Sequence, residues 1–164
     1  MANMVASALV GTRLDYANSV LYGTTQKTSL NLRKHSTSSH VSSLVHLVLL
    51  SLAHNILQHL HWLPIKHRIN FKIANITFRT LQSSQPVYLR SILHTHHSTR
   101  SLRLSNTNLL CAPFVRTSFG SRSFSVAAPK IWNSLPPALR MCTSHATFSH
   151  QLKTHYFQLA FQPT

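Results

Sequence analysis

Apolar and polar positions alternate with helical spacing along much of the chain, most clearly in residues 65–82. Two neighbouring stripes there each repeat every three to four residues. The apolar stripe is Ile65, Ile69, Ile73 and Ile76, and the polar stripe is Arg68, Lys72, Asn75 and Arg79. Pro64 stands directly before them, a position at which proline favours the start of a helix. The pattern predicts an amphipathic helix over residues 65–82.

Weaker patterns of the same kind predict further helices. They cover residues 5–22, 44–60 and 86–93, and a last helix over 145–161. Ser144 is a suitable N-cap for that last helix. Its predicted apolar face is Phe148, Leu152, Tyr156 and Leu159. Residues 24–43 are rich in Ser and Thr without a period and predict a loop. Residues 129–140 predict one helical turn that Pro136 and Pro137 interrupt.

The helical period is lost in residues 94–130. Val115, Phe119, Phe124 and Val126 are β-branched or aromatic and lie on both sides of Gly120. This pattern predicts a short β-hairpin near residues 110–126. The expected fold is therefore a small, mostly α domain with this one β element and a poorly packed N-terminal third.

Charge is strongly one-sided. The chain of 164 residues has one acid, Asp15, against 16 Lys and Arg, and its formal net charge is +15 with His neutral. Mechanisms that need a pair of carboxylates are excluded, as in glycosidases and aspartic proteases. Two-metal phosphoryl transfer is excluded as well, because it needs several carboxylates for Mg²⁺. The sequence predicts a protein that is not an enzyme.

Arg outnumbers Lys among the cations, and Arg suits bidentate contacts with phosphate. The basic residues form three groups along the chain. These are Arg68/Lys72/Arg79, Arg100/Arg103 and Arg116/Arg122/Lys130. The groups predict phosphate contacts with a nucleic acid; the alternative is a solvated surface that keeps the chain soluble. Aromatic residues at helical spacing are Trp62, Phe71, Phe78, Trp132, Phe148 and Tyr156, for which a core role is favoured over base stacking.

Histidine and cysteine provide candidate metal ligands. The histidines group as His59-x-His61, His94-x-His96-His97 and His145/His150/His155. None of these spacings matches a common zinc site, so exposed imidazoles that add to the basic field are the favoured interpretation. Cys111 and Cys142 form no C-x-x-C motif and predict unpaired thiols in a reducing compartment. Nucleotide-binding glycine motifs are absent, and no cofactor, small-molecule substrate or membrane span is expected.

Several segments resemble non-LTR (LINE-type) retrotransposon reverse transcriptases. LDYANSVLYG at residues 14–23 is similar to the family's RLDYCNSLLYG segment, downstream of the polymerase palm. The other similar segments follow in the family's order. They are LHWLPI at 60–65, RINFK at 68–72, Tyr88-Leu89 leading into RSLR at 100–103, FGSRSFSVAAPKIWNSLP at 119–136, and the closing helix at 148–161.

The resemblance implies a non-catalytic, thumb-side region that helps to hold nucleic acid near the polymerase. The contact candidates that it implies are Arg68, Lys72, Arg79, Arg100, Arg103, Arg122 and Lys130. No catalytic residue carries over, because the chain has no Tyr-x-Asp-Asp turn and no endonuclease. The resemblance divides the chain into a matching N-terminal helix (1–23), a non-matching segment (24–60) and a matching C-terminal region (61–164).

Within the non-matching segment, residues 28–54 lack the Leu/Gln/Arg-rich helix of the family. Two compensating frameshifts in a decayed element copy are one hypothesis. If a one-base shift of that interval does not restore the helix, the hypothesis is wrong. Three functions stay open: a non-catalytic remnant of the reverse transcriptase, a small basic RNA- or DNA-binding protein with its own role, and, least favoured, a His-rich metal-binding or membrane-associated peptide.

Overall fold

The computed structural model describes residues 22–23, 55–96 and 108–161, and these residues are mostly helical. The chain divides into two units, Met1–Ile69 and Asn70–Thr164. We number the helices whose bounds are defined as α1 (Ile65–Ser83), α2 (Val87–Ser91), α3 (Phe124–Ser134), α4 (Pro137–Arg140) and α5 (His145–Phe161). The mostly α fold class is confirmed. The predicted helix 5–22, the loop 24–43, the mismatch at 28–54 and the packing of the N-terminal third lie outside the described residues.

In the first unit, residues 55–59 are helical and form the described end of the helix predicted for 44–60. His61 follows with a φ of 52°, the left-handed conformation that glycine usually supplies after a helix. The backbone N–H of Trp62 donates to the Leu57 carbonyl (2.8 Å), and that of His61 donates to the Gln58 carbonyl (3.1 Å). These two bonds are those of a Schellman motif, so the helix ends before Trp62, as predicted.

Helix α1 begins after Pro64, whose carbonyl accepts the N–H of Arg68 (3.0 Å), and it confirms the predicted helix almost residue for residue. Burial differs from the predicted apolar stripe. Ile69 and Ile73 are buried, but Ile65 and Ile76 are only half-buried. Two threonines are buried instead, and the Thr77 hydroxyl donates to the Ile73 carbonyl (2.8 Å). This bond within the helix lets a polar side chain lie in the core.

The core of the second unit is aromatic. Phe78 of α1 stacks on Phe148 of α5 with ring centroids 4.2 Å apart, and Trp132 of α3 packs against both. Phe148, Leu152 and Tyr156 confirm the predicted face of α5, whereas Leu159 is exposed. Helix α5 begins directly after Ser144, also as predicted.

The predicted β-hairpin at 110–126 is wrong. In the parts of the chain that the structure describes, the β structure is a single bridge between Thr95 and Leu110. Residues Gly120–Arg122 form a 3₁₀ turn, and Phe124 begins α3. The β preference of Phe124 and Val126 is overridden because the helix buries an almost continuous run of side chains in the core. That run is Val126, Ala127, Ala128, Pro129, Ile131 and Trp132.

The predicted interruption near Pro136 and Pro137 is confirmed, but the predicted extent is wrong. Helix α3 has three turns and contains Pro129, and the short α4 follows with Pro137 in its first turn. Leu135 between them is extended, with a φ of −74° and a ψ of 147°. This conformation is typical of a residue that precedes proline.

Candidate nucleic-acid interface

The polar stripe of α1 is placed partly against another helix. In the second unit, the Asn75 amide donates to the Phe71 carbonyl (3.0 Å), and its Oδ1 accepts a hydrogen bond from the Ser149 hydroxyl of α5 (2.6 Å). Lys72 is half-buried and Arg79 is exposed. Within the second unit, the stripe therefore contacts α5 at Asn75, and its exposed member is Arg79.

Arg68, in the first unit, contacts an aromatic ring. Its guanidinium carbon lies 5.8 Å from the ring centroid of Trp62, within the range of a cation–π interaction. Both side chains are half-buried. Because its side chain is half-buried, Arg68 is a less accessible candidate for a phosphate contact than the exposed Arg79.

Arg122 and Lys130 are exposed at two positions of the run 119–136. Arg122 ends the 3₁₀ turn, where its backbone N–H donates to the Phe119 carbonyl (3.0 Å). Lys130 is the exposed position within the buried part of α3. The buried residues of this run are therefore concentrated in α3 and at Leu135, and Arg122 and Lys130 are its exposed cations. Arg100 and Arg103 lie outside the described residues.

The described segments 55–96 and 108–161 contain no Asp or Glu of their own. With 16 Lys and Arg against one acid in the whole chain, most of the positive charges have like charges rather than carboxylates available as neighbours, and like charges repel one another. Within these two segments the exposed Lys and Arg side chains are Lys66, Arg79, Arg116, Arg122, Lys130 and Lys153.

One cation is internal. Arg140 at the end of α4 is 7% exposed, and its Nε donates to the Leu135 carbonyl (3.1 Å). Burial lowers the pKa of this guanidinium. Arg140 closes the turn between α3 and α4, and no feature of the sequence distinguishes it from the exposed arginines.

Most of the aromatic residues named in the sequence have structural roles. Trp132, Phe78, Phe148 and Tyr156 are buried, so the favoured core interpretation is confirmed for them. The indole N–H of Trp132 donates to the Asn108 carbonyl (2.7 Å). Exposed aromatic rings occur instead at positions that the sequence analysis did not select: Tyr88, Phe114 and Phe119.

The histidines are dispersed. His59 is helical and His61 has a left-handed backbone, so this pair does not lie on a strand. His145 Nε2 lies 3.4 Å from the Ser149 hydroxyl. Burial lowers the pKa of the His155 imidazole. Within 55–96 and 108–161, no three His, Cys, Asp or Glu residues come together in a way that could hold a metal ion.

A side chain that the sequence analysis missed holds the 108–111 segment in place. The Asn133 amide donates to the Leu110 carbonyl (2.8 Å), and its oxygen accepts the Leu110 N–H (2.9 Å). On the other side of this segment, the Cys111 N–H donates to the His94 carbonyl (2.8 Å). The Asn133 side chain thus makes the two backbone hydrogen bonds that a neighbouring β-strand would otherwise make. No local sequence pattern indicates that Leu110 is its partner.

Comparisons with protein-family models, with curated proteins and with solved structures return no match for this chain. Among the helices that the structure describes, none has the length and apolarity required to cross a bilayer.

Proposed function

We propose that this protein is a non-catalytic remnant of a retrotransposon reverse transcriptase and that it binds nucleic acid non-specifically through phosphate contacts. The observation that carries the binding proposal is the one-sided charge, since six Lys and Arg side chains are exposed in described segments that contain no carboxylate side chain. Each Lys or Arg that contacts a phosphate releases condensed counterions. Binding of this kind needs no base-specific contact.

The resemblance to the reverse transcriptase supports the remnant part of the proposal. The family-like run 119–136 supplies Trp132 and the buried face of α3. A decayed copy that kept this run would keep the centre of its core. The absence of paired carboxylates from the sequence is in keeping with a chain that performs no polymerase chemistry.

Three exposed contact candidates provide the test: Arg79, Arg122 and Lys130. Each is changed to Gln, and binding to a random-sequence duplex is measured by fluorescence anisotropy between about 50 and 200 mM salt. Each loss of a phosphate contact is expected to lower the magnitude of the log–log salt slope by about 0.9.

Lys153→Gln is the matched control, because it removes an equally exposed charge outside the candidate set. Its salt slope is expected to equal that of the unchanged protein. If Lys153→Gln lowers the slope as much as Arg122→Gln does, the contacts are not localised to the candidate residues. Wild-type binding that does not vary with salt contradicts the proposal altogether.

A small basic RNA- or DNA-binding protein with its own selected role is the second candidate. The observation in its favour is the well-packed aromatic centre formed by Phe78, Trp132 and Phe148, which a chain under no selection has no need to keep. The DNA upstream of the coding sequence separates the two candidates. Traces of polymerase palm motifs there favour the remnant, and their absence favours the independent protein.

A further inference from the structure

The segment from Pro113 to Arg122 presents two phenyl rings to solvent. Phe114 is 87% exposed and Phe119 is 84% exposed, whereas Trp132 and Phe148 of the same unit are buried. An exposed phenyl ring forgoes the burial that stabilises most aromatic side chains. Phe114 and Phe119 lie five positions apart in the chain, and neither ring is part of the buried core described for this unit.

The backbone beneath Phe119 is held in one conformation by hydrogen bonds. The Gly120 N–H donates to the Thr117 hydroxyl (3.0 Å), and the Ser121 N–H donates to the Thr117 carbonyl (3.1 Å). The Ser123 hydroxyl donates to the Gly120 carbonyl (2.7 Å). A Cβ at Gly120 would approach the Thr117 hydroxyl to 2.8 Å, so a larger residue here would displace the hydroxyl that accepts the Gly120 N–H. Phe119 is therefore an exposed residue of a turn that these hydrogen bonds stabilise.

Cations alternate with the phenyl rings. Arg116 lies between Phe114 and Phe119 in the chain, Arg122 lies one helical turn beyond Phe119, and both arginines are exposed. No carboxylate is present in this segment or elsewhere in 108–161. The charge of the segment is complementary to a polyanion, and its rings offer flat apolar faces. A nucleic-acid strand with unstacked bases has both matching features.

We propose that the 113–122 segment binds single-stranded nucleic acid, with bases stacked on Phe114 and Phe119 and phosphates contacted by Arg116 and Arg122. This proposal rests on the proposed nucleic-acid binding and adds the class of ligand. A duplex keeps its bases stacked inside the helix, where exposed phenyl rings cannot reach their faces. Single strands expose these faces, and stacking on an aromatic side chain tolerates any base sequence.

The test measures binding of the full chain to a fluorescent oligo(dT) of about 16 nucleotides, to an abasic strand of the same length and to a duplex. Phe114→Ala/Phe119→Ala is expected to weaken oligo(dT) binding about a hundredfold, at about tenfold for each ring. The same double variant is expected to bind the abasic strand and the duplex as tightly as the unchanged protein, because neither ligand offers an open base face.

Tyr88→Ala is the matched control, since it removes an aromatic ring that is 70% exposed on α2. It is expected to leave oligo(dT) binding unchanged. Phe114→Leu/Phe119→Leu keeps apolar side chains without a π face and is expected to lose most of the affinity that the alanine variant loses. Both Phe variants should give the circular dichroism spectrum of the unchanged protein, because neither ring lies in the core.

Failure of this proposal and failure of the proposed function give different results. If the unchanged protein binds strands and duplex with a steep salt slope but the alanine double variant binds oligo(dT) equally well, stacking is refuted and general phosphate binding stands. If the unchanged protein binds none of the three ligands, both proposals are overturned. Vesicles that contain phosphatidylserine serve as a further ligand. If the alanine double variant loses binding to these vesicles but keeps its binding to oligo(dT), the rings contact a membrane surface and the proposal is wrong.

Discussion

Replacement of Asn133 by alanine tests how the 108–111 segment is held to the second unit. The Asn133 amide makes two hydrogen bonds to the backbone of Leu110, at 2.8 and 2.9 Å, and Leu110 is 2% exposed. Loss of the amide leaves a buried N–H and a buried carbonyl without these partners. Each unsatisfied group costs about 1–3 kcal/mol, and water that enters the space left by the amide recovers part of that cost.

The expected loss in the free energy of unfolding is therefore about 2–4 kcal/mol. Urea denaturation followed by tryptophan fluorescence measures it. A Trp62→Phe background makes Trp132 the sole tryptophan, which excitation beyond the tyrosine absorption band selects, and the Trp132 indole donates to the Asn108 carbonyl of the same segment.

Ser134→Ala in the same background is the matched control. The Ser134 hydroxyl donates to the Ile131 carbonyl within its own helix (2.7 Å), and the residue is exposed, so the expected cost is within about 0.5 kcal/mol. If Asn133→Ala costs no more than Ser134→Ala, the Leu110 backbone is not held by this amide, and the reasoning is refuted.

Two further predictions concern the core and pH. Phe148→Ala should lower the free energy of unfolding by about 3–5 kcal/mol, whereas Phe119→Ala should change it by less than about 0.5 kcal/mol; equal losses in urea denaturation would contradict the assigned core. Burial lowers the pKa of the His155 imidazole in the folded protein, so below about pH 6.5 the unfolded chain binds this proton more readily than the folded protein does. His155 therefore lowers the free energy of unfolding as pH falls. The difference in unfolding free energy between the unchanged protein and His155→Gln should therefore shift in favour of His155→Gln from about pH 7.5 to pH 5.5; a constant difference would contradict this effect.

The helices that could be predicted from the sequence are those that the spacing and capping residues of their own segment indicate. Helix α1 follows from the spacing of its isoleucines and from Pro64, and the start of α5 follows from Ser144. Of the contact candidates named from the sequence, Arg79, Arg122 and Lys130 are exposed, as charged side chains mostly are, whereas Arg68 and Lys72 are half-buried.

The remainder depends on partners that are distant in the chain. Phe124 and Val126 have β preference, but burial of α3 against the aromatic centre overrides it. Asn75 has the spacing of a surface residue, but Ser149 of α5 takes its side chain into a helix–helix contact. Asn133 and Arg140 are held by backbone groups that no local pattern indicates.

Binding of phosphates by the exposed cations is tested most directly by a salt titration of the unchanged protein. Duplex affinity is measured from about 50 to 200 mM salt and plotted as log K against log salt concentration. A straight line is expected, with a slope between about −2.7, if only Arg79, Arg122 and Lys130 contact phosphates, and about −6.3, if all seven candidate residues do. A slope near zero, or no binding at the lowest salt concentration, would contradict it.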